Sequence, residues 1–294
     1  MDCKIDVQPD WRRLIDELAA APWQRLIVLG APDRGKSTFC RWLAHELDAR
    51  GEATSLLDTD LGQNGLGPPA CITLGQVHAG ALATKHLYFV GGVDPAPRIG
   101  AIVAGAARLA ALGEGRLIIN TCGMVNYSGR LLKRLKIDAL RPDHIVALAE
   151  ADDLLDPILA PLPPSRVHRL RPSLLVRARN AMTRALYRLD GFQRALAGAR
   201  ECELSGVVFE NLERDALDAF EDERLCGLAD AEGIDIGIGI LRVMNAEAWT
   251  ARVLTTVGPE KIRRIRIGMA IPEELADFES KPRYSTGFES LELK

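Results

Sequence analysis

No apolar run in this 294-residue chain reaches the roughly 18 residues needed to cross a bilayer, so no membrane span is expected. The opening segment, MDCKIDVQPDW, lacks a basic stretch followed by an apolar one and does not read as a secretory signal. The six cysteines, at 3, 40, 71, 122, 202 and 226, form no CxxC pair. That argues against a zinc site or a disulfide framework and points to a reducing cytoplasm. An excess of positive charge is also missing. With a net charge of −3 and a pI of 6.0, the molecule as a whole is no general nucleic-acid binder. No internal repeat is evident. What remains is ordinary globular composition, 47% hydrophobic and 26% charged, on a chain long enough for one large α/β unit with a smaller appendage.

The pattern along the chain alternates. Residues 11–21 have the spacing of an amphipathic helix, and 25–30 (RLIVLG) read as a buried parallel strand. A helix is expected over 36–50, a strand over 54–58, and a Gly/Pro-rich loop over 62–70. Further strands are expected at 86–91, 116–120 and 144–149, with helices at 99–112 and 128–136 between them. Such alternation implies a mostly parallel sheet covered on both faces, a three-layer α/β/α fold. Proline-rich residues 157–164 mark a boundary or bend. A short strand at 167–170 and a basic helical stretch over 174–196 follow. Beyond residue 200, glycine-rich strand-like runs at 203–209, 234–243 and 253–257 suggest a small, mostly β unit.

One motif carries chemistry directly. Gly30-Ala31-Pro32-Asp33-Arg34-Gly35-Lys36-Ser37-Thr38 contains G-x4-G-K-[ST], with an apolar strand leading in and a helix leading out. Glycines let such a loop turn its N–H groups inward around an anion, and the helix N-terminus adds partial positive charge. Lys36 can reach the β- and γ-phosphates, and the Ser37 hydroxyl can ligate Mg²⁺. This is a P-loop, expected to bind ATP or GTP.

The second strand ends in Asp58-Thr59-Asp60-Leu61-Gly62-Gln63, at the sheet edge where α/β proteins place ligands. Extended alternation puts Asp58 and Asp60 on one side, about 6–7 Å apart. Asp58 is the candidate metal ligand with Ser37, and Asp60 the group that accepts a hydrogen bond from an attacking hydroxyl. A turn following a strand is the plainer account of both. The fourth strand ends Asn120-Thr121-Cys122-Gly123, where many P-loop proteins carry an aspartate. Here that position is neutral, which shifts the metal-side carboxylate to the second strand. Thr121 is either a contact to the γ-phosphate or a water, or an ordinary turn residue. Residues 166–194 hold eight arginines and one acid, Asp190, a local patch able to hold phosphates.

These segments together resemble a known family. GAPDRGKST, LLDTDLGQ, YFVGGVDP (88–95), NTCG and PDHIVALA (142–149) occur in the order found in the polynucleotide 5′-hydroxyl kinases of the pre-mRNA cleavage-factor and rRNA-processing type. GLADAEGIDIGIGIL (227–241) and VLTTVG (253–258) are similar to the family's C-terminal region, so the likeness covers roughly 20–270. It is to a prokaryotic member without the N-terminal domain of the eukaryotic enzymes. The resemblance implies a P-loop kinase domain over 1–198, a small β-rich domain over 199–275 and a polar tail over 276–294. It implies ATP and Mg²⁺ as cofactors and a 5′-OH end of RNA or DNA as substrate. An arginine-bearing lid is implied at 176–192, with Arg179 and Arg184 as catalytic candidates and Arg177 beside them. Gln63, Thr121, Gly123, Met124 and Arg177 are the implied substrate contacts. Met124 stands where the family's T-x-G-W element has its base-stacking tryptophan and offers a softer apolar contact.

Two other classes share these features. A catalytically silent ATP-binding scaffold of an RNA-processing complex would keep the fold without transfer. A GTPase-type switch would need a guanine-specifying run such as N-K-x-D, and the sequence has none.

Overall fold

The chain's computed structural model describes residues 5–149, 154–210 and 223–271. The tail expected at 276–294 lies outside them. Helix α1 (Pro9–Ala19) starts with proline at its first position, where a missing N–H costs nothing. Trp11, Leu14, Ile15 and Leu18 bury one face of it, the spacing of an amphipathic helix. Then come β1 (Arg25–Leu29), α2 (Lys36–Ala49), β2 (Thr54–Asp58), β3 (Cys71–His78), β4 (Ala81–Phe89), α3 (Ile99–Ala110) and β5 (Arg116–Asn120). Helix α4 (Tyr127–Leu140), β6 (His144–Leu148), α5 (Asp156–Leu159), β7 (Val167–Leu170) and α6 (Ala181–Ala195) complete the first half.

The seven strands form one sheet in the order β4-β3-β2-β5-β1-β6-β7. Five of them run parallel, from β2 to β7. Strands β3 and β4 add an antiparallel hairpin at one edge. Residues 79 and 80 turn that hairpin with φ of 51° and 77°, the left-handed pair that matches the twist of the strands. No turn was expected there, because an Ala-Gly pair is a weak signal. Each face of the sheet is covered by its own apolar cluster. Trp11, Phe39, Leu43 and Val28 belong to one, and Ile102, Leu109, Leu132 and Ile119 to the other. Trp11 meets Phe39 edge-on at 4.9 Å.

The second sheet has the order β8-β12-β11-β10-β13-β9, built from β8 (Arg200–Ser205), β9 (Val208–Glu210), β10 (Arg224–Ala229), β11 (Asp235–Asn245), β12 (Thr250–Thr255) and β13 (Arg264–Ala270). Its pairs are antiparallel except β13–β9. The two sheets meet around Phe89, whose backbone N–H donates to the buried Asp235 carboxylate at 2.9 Å. Arg266 grips the same carboxylate at 2.6 and 2.7 Å and Glu210 at 2.8 Å. Gly227 and Gly268 leave room for the Phe89 ring, which a Cβ at either position would strike.

Candidate nucleotide and phosphoryl-transfer site

Strand register builds the floor of the site. Strand β5 lies between β1 and β2, and Asn120, its last residue, is level with both Val28 and Asp58. The loop leaving β1 therefore passes beside the ends of β2 and β5. Residue 35 has φ 77° and caps α2 in the left-handed region, which glycine adopts without strain. Asp33 is also left-handed, at φ 53°, a conformation that Asp tolerates better than most residues. Gly123 is pressed against Pro32, and a Cβ there would sit 2.6 Å from its Cα. The loop after β5 thus abuts the P-loop.

Asn120 joins two of the expected metal-side groups. Its Nδ2 donates to the Ser37 hydroxyl at 3.1 Å and to Asp58 Oδ1 at 2.9 Å. Asp58 is buried and also accepts from the backbone N–H of Asp60 and Gly65. Burial, then the neighbouring charge of Asp60, raises its carboxyl above the usual range, against those hydrogen bonds. Asp60 corrects one sequence expectation. Strand β2 stops at Asp58, so plain alternation does not place the second carboxylate. A turn does, with Asp60 Oδ1 accepting from the N–H of both Gly62 and Gln63 at 3.1 Å.

Lys36 is 7% exposed and its ammonium donates to the Ala31 carbonyl of its own loop at 2.8 Å. Burial lowers its pKa to about 8, with Asp60 pulling it back up and Lys133 pushing it further down. Two more lysines lie beneath the site, both fully buried on α4. Lys133 donates to the carbonyls of Cys122 and Met124 at 2.8 and 2.6 Å, and Lys136 to the Thr59 hydroxyl at 2.6 Å.

The basic stretch is not one helix from 174 to 196. It runs as an extended crossing to Asn180, whose side chain caps α6 by accepting from the Thr183 N–H. Arg177, expected within a helical stretch, is exposed in the crossing ahead of the helix. Arg179 and Arg184 reach the P-loop. The Arg184 guanidinium pairs with Asp33 at 2.6 Å, and the Arg179 N–H donates to the same carboxylate at 3.0 Å. Gln63 is held between them, accepting from Arg179 at 3.2 Å and donating to the Arg184 carbonyl at 3.2 Å. Val176 covers Gly35, its Cγ2 standing 3.1 Å from where a Cβ would be. The root of the crossing is fixed from the N-terminal segment. Asp6 accepts from the Leu174 N–H and the Ser173 hydroxyl, and Asp10 from the Arg171 N–H.

One expected substrate contact, Thr121, is placed otherwise. Thr121 is fully buried and its hydroxyl donates to the Val28 carbonyl at 2.7 Å, so it serves the sheet and not a phosphate. Met124 is half-buried and packed on the core. Sequence reasoning missed Asn120 as the bridge, the contacts of Asp33 with Arg179 and Arg184, and the two buried lysines. A signal for the last was present: Lys133 and Lys136 share the i, i+3 face of Leu132 and Leu140 on an otherwise apolar side.

The sequence model of the family described as the mRNA cleavage and polyadenylation factor CLP1 P-loop matches residues 30–194, more than half of the chain. A polyribonucleotide 5′-hydroxyl-kinase of Pyrococcus furiosus is 27% identical over 83% of this chain and 86% of its own. One of Pyrococcus horikoshii is 38% identical over 46% of this chain and 39% of its own. Among solved structures, the wild-type Clp1p–Pcf11p complex matches with a TM-score of 0.68 at 11% identity, covering 88% of this chain and 78% of that one, a likeness of fold. The P-loop on β1, the sheet order around it and the sequence match lead to one assignment: this chain belongs to the CLP1 P-loop family.

Proposed function

We propose that the chain is an ATP-dependent polynucleotide 5′-hydroxyl kinase that moves the γ-phosphate of ATP onto the 5′-OH of an RNA or DNA end. The observation that carries this reading is the meeting of Arg179 and Arg184 with the P-loop. The Arg184 guanidinium stands at the phosphate loop on Asp33, the Arg179 backbone N–H bonds the same carboxylate, and the Arg179 guanidinium bonds Gln63 in the turn that bears Asp60. A nucleotide-binding module alone needs no such second cationic wall. A transferase does, because charge spreads over the γ-phosphoryl oxygens as it moves.

In this reading the acceptor hydroxyl oxygen bonds to the γ-phosphorus as the bond to the β-bridging oxygen breaks, and ADP leaves. The hydroxyl proton goes to the Asp60 carboxylate. Lys36 leaves the Ala31 carbonyl for the β- and γ-phosphates. The donor chemistry also suits Mg²⁺. Ser37 Oγ and Asp58 Oδ1 share one amide donor, which sets two hard oxygens side by side; these would hold the ion, whose charge would offset that developing on the phosphates. The archaeal relatives are named for polyribonucleotides, which favours RNA over DNA. No helix among the described residues is long and apolar enough to cross a membrane, and the free thiols at 40, 71, 122, 202 and 226 suit the reducing cytoplasm. One observation favours the silent scaffold instead: Met124 is packed on the core where the family has its tryptophan. The test is label transfer from γ-labelled ATP to 5′-OH oligonucleotides, with 5′-phosphorylated ones as control. ATP binding without transfer to RNA or DNA would decide for the scaffold.

A further inference from the structure

We propose that Lys133 and Lys136 are positioning residues, which set the loop after β5 and the carboxylate-bearing turn at a fixed distance from one another. The inference rests on the kinase reading of the site and goes beyond it.

The two ammoniums are one helical turn apart on α4 and both are fully buried. Lys136 donates to the Thr59 hydroxyl, which in turn donates to the Asn120 carbonyl at 2.6 Å. The Thr59 N–H meets that same carbonyl at 3.1 Å. Thr59 lies between Asp58 and Asp60, so this chain of bonds ties the turn to the strand end whose side chain holds Ser37 and Asp58. Lys133 closes the loop after β5 by taking the carbonyls of Cys122 and Met124 together. That loop presses on the P-loop through Gly123 and Pro32. One helix face therefore holds both walls of the cleft in which an acceptor end would meet Asp60.

Fold stability does not explain the choice of lysine. The hydrogen-bond acceptors are neutral, a hydroxyl and two carbonyls, and burial drives the Lys136 pKa down to about 8. An apolar side chain of similar length would fill the space without burying a charge; at Lys136 the Thr59 hydroxyl would keep its bond to Asn120, whereas at Lys133 two carbonyls would lose a donor. Groups that cost stability and organise a site are the pattern expected of function.

The test uses the full chain with Lys136→Met, Lys133→Met and Thr59→Val. The measurements are kcat and KM for a 5′-OH oligoribonucleotide, calorimetric ATP affinity and Tm. Lys136→Met is expected to lower kcat about 100-fold, with ATP affinity unchanged and Tm equal or higher. Lys133→Met is expected to raise KM for the oligonucleotide with ATP affinity unchanged. Thr59→Val should reproduce the Lys136→Met loss, and the double variant should be no worse than either single one. If Lys136→Met does not fold, Thr59→Val alone supplies the reading. Wild-type kinetics in folded Lys136→Met or Thr59→Val would overturn the proposal. So would a loss that tracks Tm and ATP affinity together, the mark of a merely structural role. A wild-type chain that transfers no phosphate would overturn the kinase reading itself.

Discussion

The Arg184 guanidinium lies 2.6 Å from the Asp33 carboxylate, so a residue inside the phosphate-binding motif holds the arginine-bearing segment against it. Both side chains remain partly exposed, at 30% and 18%, and such a pair contributes only about 0.2–1 kcal/mol. It is weak enough for an incoming triphosphate to take the arginine over. Replacing Arg184 by Ala should lower kcat on the order of 10²–10³-fold while oligonucleotide binding changes much less. Single-turnover transfer with separately measured RNA affinity checks this. An equal loss in both would make Arg184 a substrate-binding residue and not part of a lid on the transferred group.

How far the sequence disclosed this site depends on the range of each interaction. The P-loop is local: Gly30, Gly35, Lys36 and Ser37 are set by strand, turn and helix within one short stretch, and the pattern is visible in order. Strands 54–58, 116–120 and 167–170 were legible to the residue because short apolar runs lie between breakers. The bridge from Asn120 to Ser37 and Asp58 joins residues 83 and 62 positions apart. Only strand register brings them level, and register between parallel strands leaves no local mark. The same holds for Asp33 and Arg184, 151 positions apart. The start of α6 was misplaced because the arginines before it carry high helix propensity, whereas the Asn180 cap ends the extended crossing.

Lys36 gives the site a pH dependence with a definite sign. In the free protein burial holds its pKa down to about 8, and the charged form is the one that binds phosphate. Below that pH the ammonium is already present and ATP affinity should be flat. As pH rises through 8, each bound nucleotide must also recover a proton, so affinity should fall by up to about tenfold per unit. Calorimetric titration between pH 6.5 and 9.5 measures it. Lys36→Met should bind ATP weakly, transfer nothing and lose the slope. A slope that survives in that variant would assign the titration to another group.

Asp235 is the test of how the two sheets depend on one another. It is 5% exposed and satisfies both Arg266 and the Phe89 N–H across the junction. Asp235→Ala would leave a largely buried guanidinium with only Glu210 and the Gly233 carbonyl, and a backbone donor with no carboxylate. Removing one member of such a pair costs about 3–5 kcal/mol, and denaturant unfolding should record a loss of that size. Phe89 ends β4, far along the sheet from β1, so the folded fraction should retain ATP affinity. A loss of affinity in protein that remains folded would show that the second sheet shapes the nucleotide site.

Asp60 has two tasks that one pair of variants can separate. Its Oδ1 accepts the Gly62 and Gln63 N–H groups and so shapes the turn. Its charge is what would take the proton of an attacking hydroxyl. Asparagine keeps an oxygen acceptor in the same place and removes the basicity, so Asp60→Asn should preserve the turn. Turnover should fall on the order of 10²–10⁴-fold, the range of a lost general base, with ATP affinity nearly intact. Asp60→Ala removes the acceptor as well and should disturb Gln63, and through it Arg179, weakening lid closure in addition to turnover. Comparable kcat for Asp60→Asn and wild type would refute the base assignment. Equal behaviour of the Asn and Ala variants in both kcat and ATP affinity would refute the separation of the two tasks.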